Sequence, residues 1–199
     1  EQRDAADAAH EQFFDADSDF IGLLKLWSFW RTQKRKLSGG QLRKACAQNF
    51  IAYQRMREWE DLARQLREAA AEQRFHLNDK PAEADAVHRA LLTGLLRNIG
   101  RRDGEHEYEG PNGRRFSIFP GSSLFAKKPK WLMAAELIET TKLYAHGVAP
   151  IQPQWLERIA PHLVSRTYSD PRWDPETAKV VADERVHLFG LPIVPKRTV

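Results

Sequence analysis

The sequence contains a single cysteine, Cys46, among its 199 residues. One thiol cannot form an intrachain disulfide, and it excludes the zinc sites that need four cysteines. A reducing compartment is compatible with this composition. With 42% hydrophobic and 29% charged residues, the chain has the composition of an ordinary folded protein, long enough for one large or two small domains.

A membrane-spanning segment is also missing from the sequence. No apolar run approaches the ~18 residues that cross a bilayer, and residues 1–19 are acidic where a secretory signal would be basic and then apolar. We therefore expect a cytoplasmic protein. Because the chain starts at Glu1 without an initiator methionine, we interpret it as a piece of a longer polypeptide.

No pattern of an independent catalytic site is present in the sequence. A nucleotide-hydrolysing enzyme normally carries a glycine-rich loop ending in Gly-Lys-Ser or Gly-Lys-Thr, and none occurs. The seven histidines are dispersed, without the helical spacing of a zinc site. Ser122 and Ser123 follow a glycine but form no nucleophile elbow, so we interpret them as loop or capping residues. We expect no catalytic residue, metal site or cofactor site in this chain.

Acidic residues are missing from two stretches of a chain that is otherwise rich in them. Residues 20–57 hold nine lysines and arginines, and residues 110–135 hold five, with no Asp or Glu in either range. Such one-sided stretches would create local positive potential that attracts a phosphate backbone. The alternative is that folding distributes these cations over separate solvated faces.

Apolar residues three and four positions apart predict helices in the first hundred residues. Turn-forming residues at 38–40 and 78–81 and Gly100 separate or end these stretches. The residues predicted to face a core are Phe20, Leu23, Leu24, Trp27, Trp30, Leu42, Cys46, Phe50, Tyr53, Trp59, Leu62, Leu66, Val87, Leu91, Leu95 and Ile99.

Short strands are predicted after Gly100. Tyr108 and the alternating Phe116 and Ile118 flank turn formers at residues 110–113, which is typical of a β-hairpin. Residues 131–144 are ambiguous, because their Ala, Glu and Leu content favours helix. Residues 148–151 are predicted to form a strand, 153–163 a short helix, and 180–194 one or two closing strands. A helical half followed by a mainly β half predicts two domains.

Several short phrases of the sequence form a recognisable series. In the first half they are Ser18-Asp19-Phe20, Asn49-Phe50 with Tyr53, and Arg89-Ala90-Leu91 with Gly94. In the second half they include Pro120-Gly121-Ser122-Ser123, Pro129-Lys130-Trp131 and Thr140-Thr141-Lys142-x-Tyr144. In content and order these phrases resemble the C-terminal region of DEAH-box RNA helicases. The segment 168–195 resembles the bacterial HrpA branch in particular. Two positions depart from the family pattern, since Phe119 replaces its usual histidine and Gly121 is inserted.

The resemblance implies an α+β fold. An N-terminal helical bundle, the ratchet-like or helicase-associated domain, would occupy residues 1–102, and a small OB-fold β-barrel would occupy residues 103–166. Residues 167–199 would form a β-rich extension of the HrpA branch. Residues 131–144 would then be mainly barrel strand, with tertiary context overriding their helix propensity.

The resemblance also implies a function for this region of a helicase. It would grip single-stranded RNA and help close the RNA channel over the RecA-like motor domains of the same polypeptide, which would bind ATP and Mg²⁺. An OB-fold and a basic helical face can hold RNA by pairing lysines and arginines with phosphates. The alternative is a protein-docking module for the motor domains or a partner protein, with little direct RNA contact. Neither a membrane nor a metal is expected as a partner.

The candidate RNA contacts are mostly basic residues of the two acid-free stretches. Lys142 and Tyr144 join them, the latter as a stacking or hydroxyl contact, and for each cation the alternative is a solvated side chain. Core packing rather than base stacking is expected of Trp27, Trp30, Trp59 and Trp131. The candidates are Lys34, Arg35, Lys36, Arg55, Arg57, Arg114, Arg115, Lys127, Lys128, Lys130, Lys142 and Tyr144.

Overall fold

Residues 2–199 are described by a computed structural model, in which the chain divides into two units. The first unit contains the residues up to Asp15 and Phe20–Glu83, and the second contains Ala16–Asp19 and Ala84–Val199. Helices precede a closed β-barrel along the chain, so the predicted α+β fold is confirmed. Among the helices of residues 2–199, none combines the length and the apolar character needed to cross a membrane.

Four α-helices make up most of the first unit. They are α1 (Gln2–His10), α2 (Asp19–Lys36), α3 (Gly39–Gln48) and α4 (Tyr53–Glu72), with a 3₁₀ turn at Glu11–Phe13. Ser38 is the N-cap residue of α3, and its backbone N–H donates a hydrogen bond to Gln41 Oε1 at 3.0 Å. This contact satisfies one of the polar groups at the junction of α2 and α3.

The core of the first unit is small and comes from α2, α3 and α4. Trp27 and Trp59 lie at its edge, with ring centroids 5.0 Å apart. Moving either indole away would lose the packing energy of this aromatic pair. The buried side chains are Trp30, Leu42, Cys46 and Met56.

The apolar stripes predicted for this core are wrong in part. Leu62 and Leu66 on α4 are 53% and 62% exposed, and Leu23 and Leu24 on α2 are nearly half exposed. Phe50 is also exposed, because it lies beyond the end of α3 at a positive φ of 52°. Spacing identifies residues that share a helix face, but the tertiary fold decides whether another element covers that face.

The second unit is built on a closed five-stranded barrel that follows α5 (Ala84–Leu92). The strands pair in the order β1-β2-β3-β5-β4, with β4 returning to β1, and only the β3–β5 pair is parallel. The ambiguous residues 131–144 therefore form β4 and the start of β5, as the resemblance implied. The strands are β1 (Ile99–Arg102), β2 (Tyr108–Glu109), β3 (Arg115–Ile118), β4 (Trp131–Glu139) and β5 (Leu143–Pro150).

Apolar side chains from four strands and one loop fill the barrel. The Tyr108 ring stacks on Phe116 with centroids 5.9 Å apart, and its hydroxyl donates a hydrogen bond to the Pro129 carbonyl at 2.8 Å. Burial raises the pKa of Tyr108 to about 12, so the phenol stays protonated. The buried cluster is Tyr108, Phe116, Ile118, Leu124, Leu132, Ala134, Ala145 and Val148.

The barrel starts earlier in the chain than residue 103, where the sequence placed a domain boundary. Strand β1 begins at Ile99, which is buried and pairs with Met133 on β4. The spacing of Leu95 and Ile99 predicted a helix ending at Gly100, and this was wrong because α5 ends at Leu92. A Cβ at Gly100 would lie 2.4 Å from the Phe116 ring, so the glycine serves close packing inside the barrel.

A short helix and an antiparallel sheet complete the second unit. They comprise α6 (Pro153–Ile159), β6 (Val164–Asp174), β7 (Lys179–Leu188) and β8 (Leu191–Thr198), with the strands in that order in the sheet. The one or two closing strands predicted within residues 180–194 are observed as two, β7 and β8. Strand β6 was not predicted from local alternation, and most of it lies in residues 167–199, for which the resemblance implied a β-rich extension. The sheet contacts the barrel where the Phe189 carbonyl accepts a hydrogen bond from the Asn112 backbone N–H at 2.9 Å.

Buried carboxylates on β7 connect the strands of this sheet. Asp183 is 2% exposed, and its two oxygens contact Lys196 at 2.6 Å and Arg172 at 3.0 Å. The neighbouring Glu184 accepts a hydrogen bond from the Tyr168 hydroxyl at 3.0 Å. The hydrogen bond from Lys196 lowers the pKa of Asp183, burial acts in the opposite direction, and Arg172 lowers the pKa further, so the net shift is downward.

Acid is expected to weaken this sheet through Asp183. A carboxyl whose pKa is lowered by folding stabilises the native state above its ordinary pKa of about 4, and the stabilisation is lost as the pH falls further. Asp183→Asn should lower the unfolding temperature at neutral pH and should reduce its dependence on pH below about 5. Thermal unfolding followed by circular dichroism at several pH values measures both effects. Equal acid sensitivity of the two proteins would contradict this role of Asp183.

Candidate nucleic-acid interface

Four of the six candidate cations of the barrel lie at the two ends of β4. Lys127, Lys128 and Lys130 precede this strand, and Lys142 lies in the turn that joins it to β5. Strand β4 has nine residues. At roughly 3.3 Å per residue, its two ends are about 26 Å apart along the strand. The structure therefore divides these candidates into two separate groups.

Several of the barrel cations already form ion pairs with acidic residues. Lys127 contacts Asp17 at 2.6 Å, and Lys128 lies 3.6 Å from Glu105. Arg115 pairs with two acids of the β1–β2 loop, at 2.9 Å and 2.6 Å. The hydrogen bonds that its guanidinium donates to Glu107 and Asp103 raise the pKa of Arg115, so it remains charged. The negative charges of these acidic partners partly cancel the positive potential predicted for residues 110–135.

Three of the six candidate cations of the barrel make no ion pair within residues 2–199. Arg114 lies between a second 3₁₀ turn, Pro111–Gly113, and β3. Lys130 lies just before β4, and Lys142 lies in the β4–β5 turn. All three are exposed. Their charges are therefore available to an external anion without the loss of an internal partner.

The candidate cations of the first unit also divide into those that form ion pairs and those that do not. Lys34 on α2 pairs with Glu60 at 2.6 Å, and Arg55 on α4 pairs with Glu58 at 3.1 Å. In the described part of this unit, Arg35, Lys36 and Arg57 are exposed and make no ion pair. The pairing of Arg55 with Glu58 has helical i,i+3 spacing. Sequence spacing could not reveal the pairing of Lys34, because Glu60 lies on another helix.

A cavity on α2 brings together residues that the sequence did not associate. It has a volume of about 230 Å³ and is lined by Trp27, Ser28, Arg31 and Arg35. Arg31 and Arg35 follow Trp27 at intervals of four, which places all three side chains on one face of the helix. Arg31 was not among the predicted contacts, although this spacing was readable in the sequence.

Three rings meet on the outside of the barrel at β3 and β5. Tyr144 and His146 are two residues apart on β5 and thus share one face of the strand, while Ala145 between them is buried. Phe119 follows β3, is 40% exposed, and stacks on His146 with centroids 4.2 Å apart. Its ring meets Tyr144 edge-on at 6.1 Å. Of these residues, only Tyr144 was a predicted contact.

The carboxylate of Asp19 binds the loop after β3 and the strand β5. One oxygen accepts hydrogen bonds from the Ser123 backbone N–H at 3.0 Å and the Ser123 hydroxyl at 2.8 Å. The other accepts from the Ser122 hydroxyl at 2.7 Å and the Val148 backbone N–H at 2.8 Å. The two serines, interpreted from the sequence as loop or capping residues, thus hold the segment Ala16–Asp19 to the barrel.

A buried hydrogen bond lies beside these contacts of Asp19, which we call the Asp19 anchor. Ser18 Oγ is 2.8 Å from His88 Nε2, and both side chains are almost completely buried. Ser18 and Asp19 belong to one of the phrases shared with the helicases, and His88 directly precedes another. Side-chain contacts of Ser18 and Asp19 therefore join their phrase to His88 and to the phrase that contains Ser122 and Ser123. Within residues 2–199, no three His, Cys, Asp or Glu side chains are grouped so that they could hold a metal ion.

Comparison with known families assigns the barrel. Residues 87–163 match the family model described as the oligonucleotide/oligosaccharide-binding (OB)-fold. This range contains all five barrel strands and α6. The OB-fold that the sequence phrases implied is therefore confirmed.

Comparison with whole sequences gives matches to RNA helicases. The entire chain is 44% identical, over 200 aligned positions, to the ATP-dependent RNA helicase HrpA of Escherichia coli and to the HrpA homolog of Haemophilus influenzae. It is 28% identical over 166 residues to the pre-mRNA-splicing factor ATP-dependent RNA helicase prp22 of Schizosaccharomyces pombe. The chain spans only 13% to 15% of the length of these relatives.

A solved structure shares the fold. The crystal structure of the E. coli DExH-box NTPase HrpB superposes with a TM-score of 0.50 over 71% of this chain and 17% of that chain. The sequence identity is 18%, so this similarity concerns the fold alone.

Removing the Asp19 carboxylate is expected to destabilise the second unit. Asp19→Ala leaves the Val148 and Ser123 backbone N–H groups without their acceptor, which should lower the free energy of unfolding by about 2–4 kcal/mol. Asp103→Asn is the matched control, because it breaks one exposed ion pair, with Arg115, that contributes about 0–1 kcal/mol. Urea denaturation of the two variants and the parent chain measures the difference. Similar losses in both variants would argue against the anchor.

Proposed function

Because the chain is related over its whole length to one region of the HrpA-type RNA helicases, we propose that it grips single-stranded RNA for an ATP-driven motor. The motor would be the RecA-like domains of the same polypeptide, which would bind ATP and Mg²⁺ and would move the RNA. This region would hold the strand and help close the RNA channel over the motor. Such a role belongs in the cytoplasm, where a protein with one reduced thiol is stable.

The observation that carries the proposal is the pair of exposed, unpaired lysines at the two ends of β4. OB-folds bind oligonucleotides with the loops after β1 and β4 and with strands β2 and β3. Lys130 lies beside the base of the β1–β2 loop, since its carbonyl accepts a hydrogen bond from the Arg102 backbone N–H at 2.8 Å. Lys142 lies in the β4–β5 loop. One strand that crosses the barrel between the two loops could pair a phosphate with each lysine.

The expected grip does not depend on base sequence. Lysines and arginines neutralise phosphates, which every nucleotide carries, and such contacts position the strand without reading it. The first unit has exposed cations without ion pairs of its own, Arg35, Lys36 and Arg57, which would attract phosphates in the same way. The ion-paired candidates, such as Lys127 and Arg115, would contribute less, because RNA would have to replace an existing acidic partner.

A second candidate function is docking of protein rather than RNA. Leu62 and Leu66 stand one turn apart on α4 and are more than half exposed. Exposed apolar residues on one helix face are common at protein contacts. In this view the chain would mainly bind the motor domains or a partner protein. The two functions differ in salt dependence, because displacement of counterions from RNA makes its binding sensitive to ionic strength.

A salt titration of RNA binding tests the proposal. Fluorescence anisotropy of the 199-residue chain with labelled oligouridine should give affinities that fall steeply as salt rises. The logarithmic slope should be about −0.7 per phosphate contact on a single strand. Lys130→Ala and Lys142→Ala should each weaken binding and reduce the slope by roughly 0.7.

The control variant is Lys179→Ala, which removes the same charge from an exposed residue at the start of β7. It should leave the affinity and the slope almost unchanged. If the chain shows no salt-dependent binding, the RNA grip is wrong and docking is favoured. If all three lysine variants weaken binding equally, the attraction is a diffuse effect of net charge and the barrel path is wrong.

A further inference from the structure

The ring of Phe119 lies outside the packed interior of the barrel. The buried cluster contains the stacked pair Tyr108 and Phe116, but Phe119 is not part of it and is 40% exposed. The rest of its surface packs on His146 and Tyr144 outside this cluster. The ring is therefore held in place while part of it stays accessible to solvent.

Main-chain hydrogen bonds fix the base of this ring. The Phe119 backbone N–H donates to the Ala145 carbonyl at 3.0 Å, which extends the parallel pairing of β3 with β5. Tyr144 and His146, on either side of Ala145, are placed by the same strand. The three rings are thus held by the barrel itself rather than by a long loop, so their arrangement is preorganised.

Gly121 lies against the edge of this ring. A Cβ on residue 121 would lie 2.8 Å from Phe119 Cε1, which is closer than packed atoms approach. The glycine therefore leaves room for the phenylalanine ring in its observed position.

The surroundings of the ring suit a nucleotide. Lys142, which makes no ion pair within the described chain, precedes Tyr144 by two residues and could meet the phosphate of a strand whose base reaches the rings. Within residues 2–199, the Tyr144 hydroxyl has no hydrogen-bond partner, so it is free to donate to a ribose or base. Aromatic rings beside a cation are the combination that binds single strands without reading their sequence.

We propose that Phe119, supported by His146 and Tyr144, is a stacking platform for one unpaired nucleobase of single-stranded RNA. The proposal rests on the RNA grip proposed above and adds base stacking to its phosphate contacts. The platform would accept any of the four bases, because each offers an aromatic face. A bound base would cover the exposed part of the phenylalanine ring and would hold the strand between successive motor steps.

The test compares ordinary RNA with RNA that lacks bases. The 199-residue chain and its Phe119→Leu variant are titrated with a labelled oligouridine and with the same oligomer carrying abasic ribonucleotides in its central part. Phe119→Leu should weaken binding of the base-containing RNA about tenfold and leave binding of the abasic RNA and the salt slope unchanged. Trp173→Leu is the matched control, because it removes another exposed aromatic ring of the second unit.

Two further measurements keep the test decisive if Phe119→Leu folds poorly. Gly121→Ala should displace the Phe119 ring and weaken binding selectively for base-containing RNA. With the unaltered chain, a 2-aminopurine base in the oligomer should lose fluorescence on binding, as stacked 2-aminopurine does.

The outcomes separate the two proposals. Salt-dependent binding of the unaltered chain that Phe119→Leu leaves intact, or weakens equally for both oligomers, overturns the stacking platform and keeps the phosphate grip. No binding of either oligomer by the unaltered chain overturns the grip itself. Weakening by Trp173→Leu as large as that by Phe119→Leu also overturns the platform, because it would assign the effect to exposed aromatic surface in general.

Discussion

The placement of the barrel surface depends on one carboxylate. Asp19 accepts four hydrogen bonds, from the two serines after β3 and from the backbone of β5, and so joins a short upstream segment to two parts of the barrel. Two of these donors are backbone N–H groups that would otherwise need another partner. The loop between β3 and β4 begins at Phe119 and carries Lys130. The contacts of Asp19 therefore help to position the proposed stacking residue and one of the two lysines of the proposed RNA surface.

Pairing of charges is the second constraint on this surface. The cations of the barrel fall into those already neutralised by nearby acids and those left open, and this division follows from contacts across the fold rather than from order along the chain. The β1–β2 loop supplies acids that lie 8 to 23 residues from their basic partners. A basic stretch in the sequence is thus not a basic patch on the surface until the acids brought to it by folding are counted.

The local patterns predicted some elements well and others badly, for identifiable reasons. The β2–β3 hairpin followed from turn formers between alternating apolar residues, and β4 followed only from the family resemblance, because its composition favours helix. The exposed leucines of α4 show the limit of helical periodicity, since a regular stripe of apolar residues needs a partner surface before it becomes core. Ile99 continued a helical spacing and nevertheless lies in a strand, because β1 closes the barrel against β4.

The sequence alone predicted the α+β class, the barrel, the relation to the HrpA-type helicases and the set of candidate cations. These depend on residue order, turn chemistry and shared phrases. The tertiary structure was needed to show which candidate cations have no ion-pair partner and where the barrel begins. It also showed that Phe119, Tyr144 and His146 meet as one cluster. The physical reason is that ion pairs and ring contacts join residues far apart in the chain. Their partners are chosen by strand pairing and register, which local patterns do not specify.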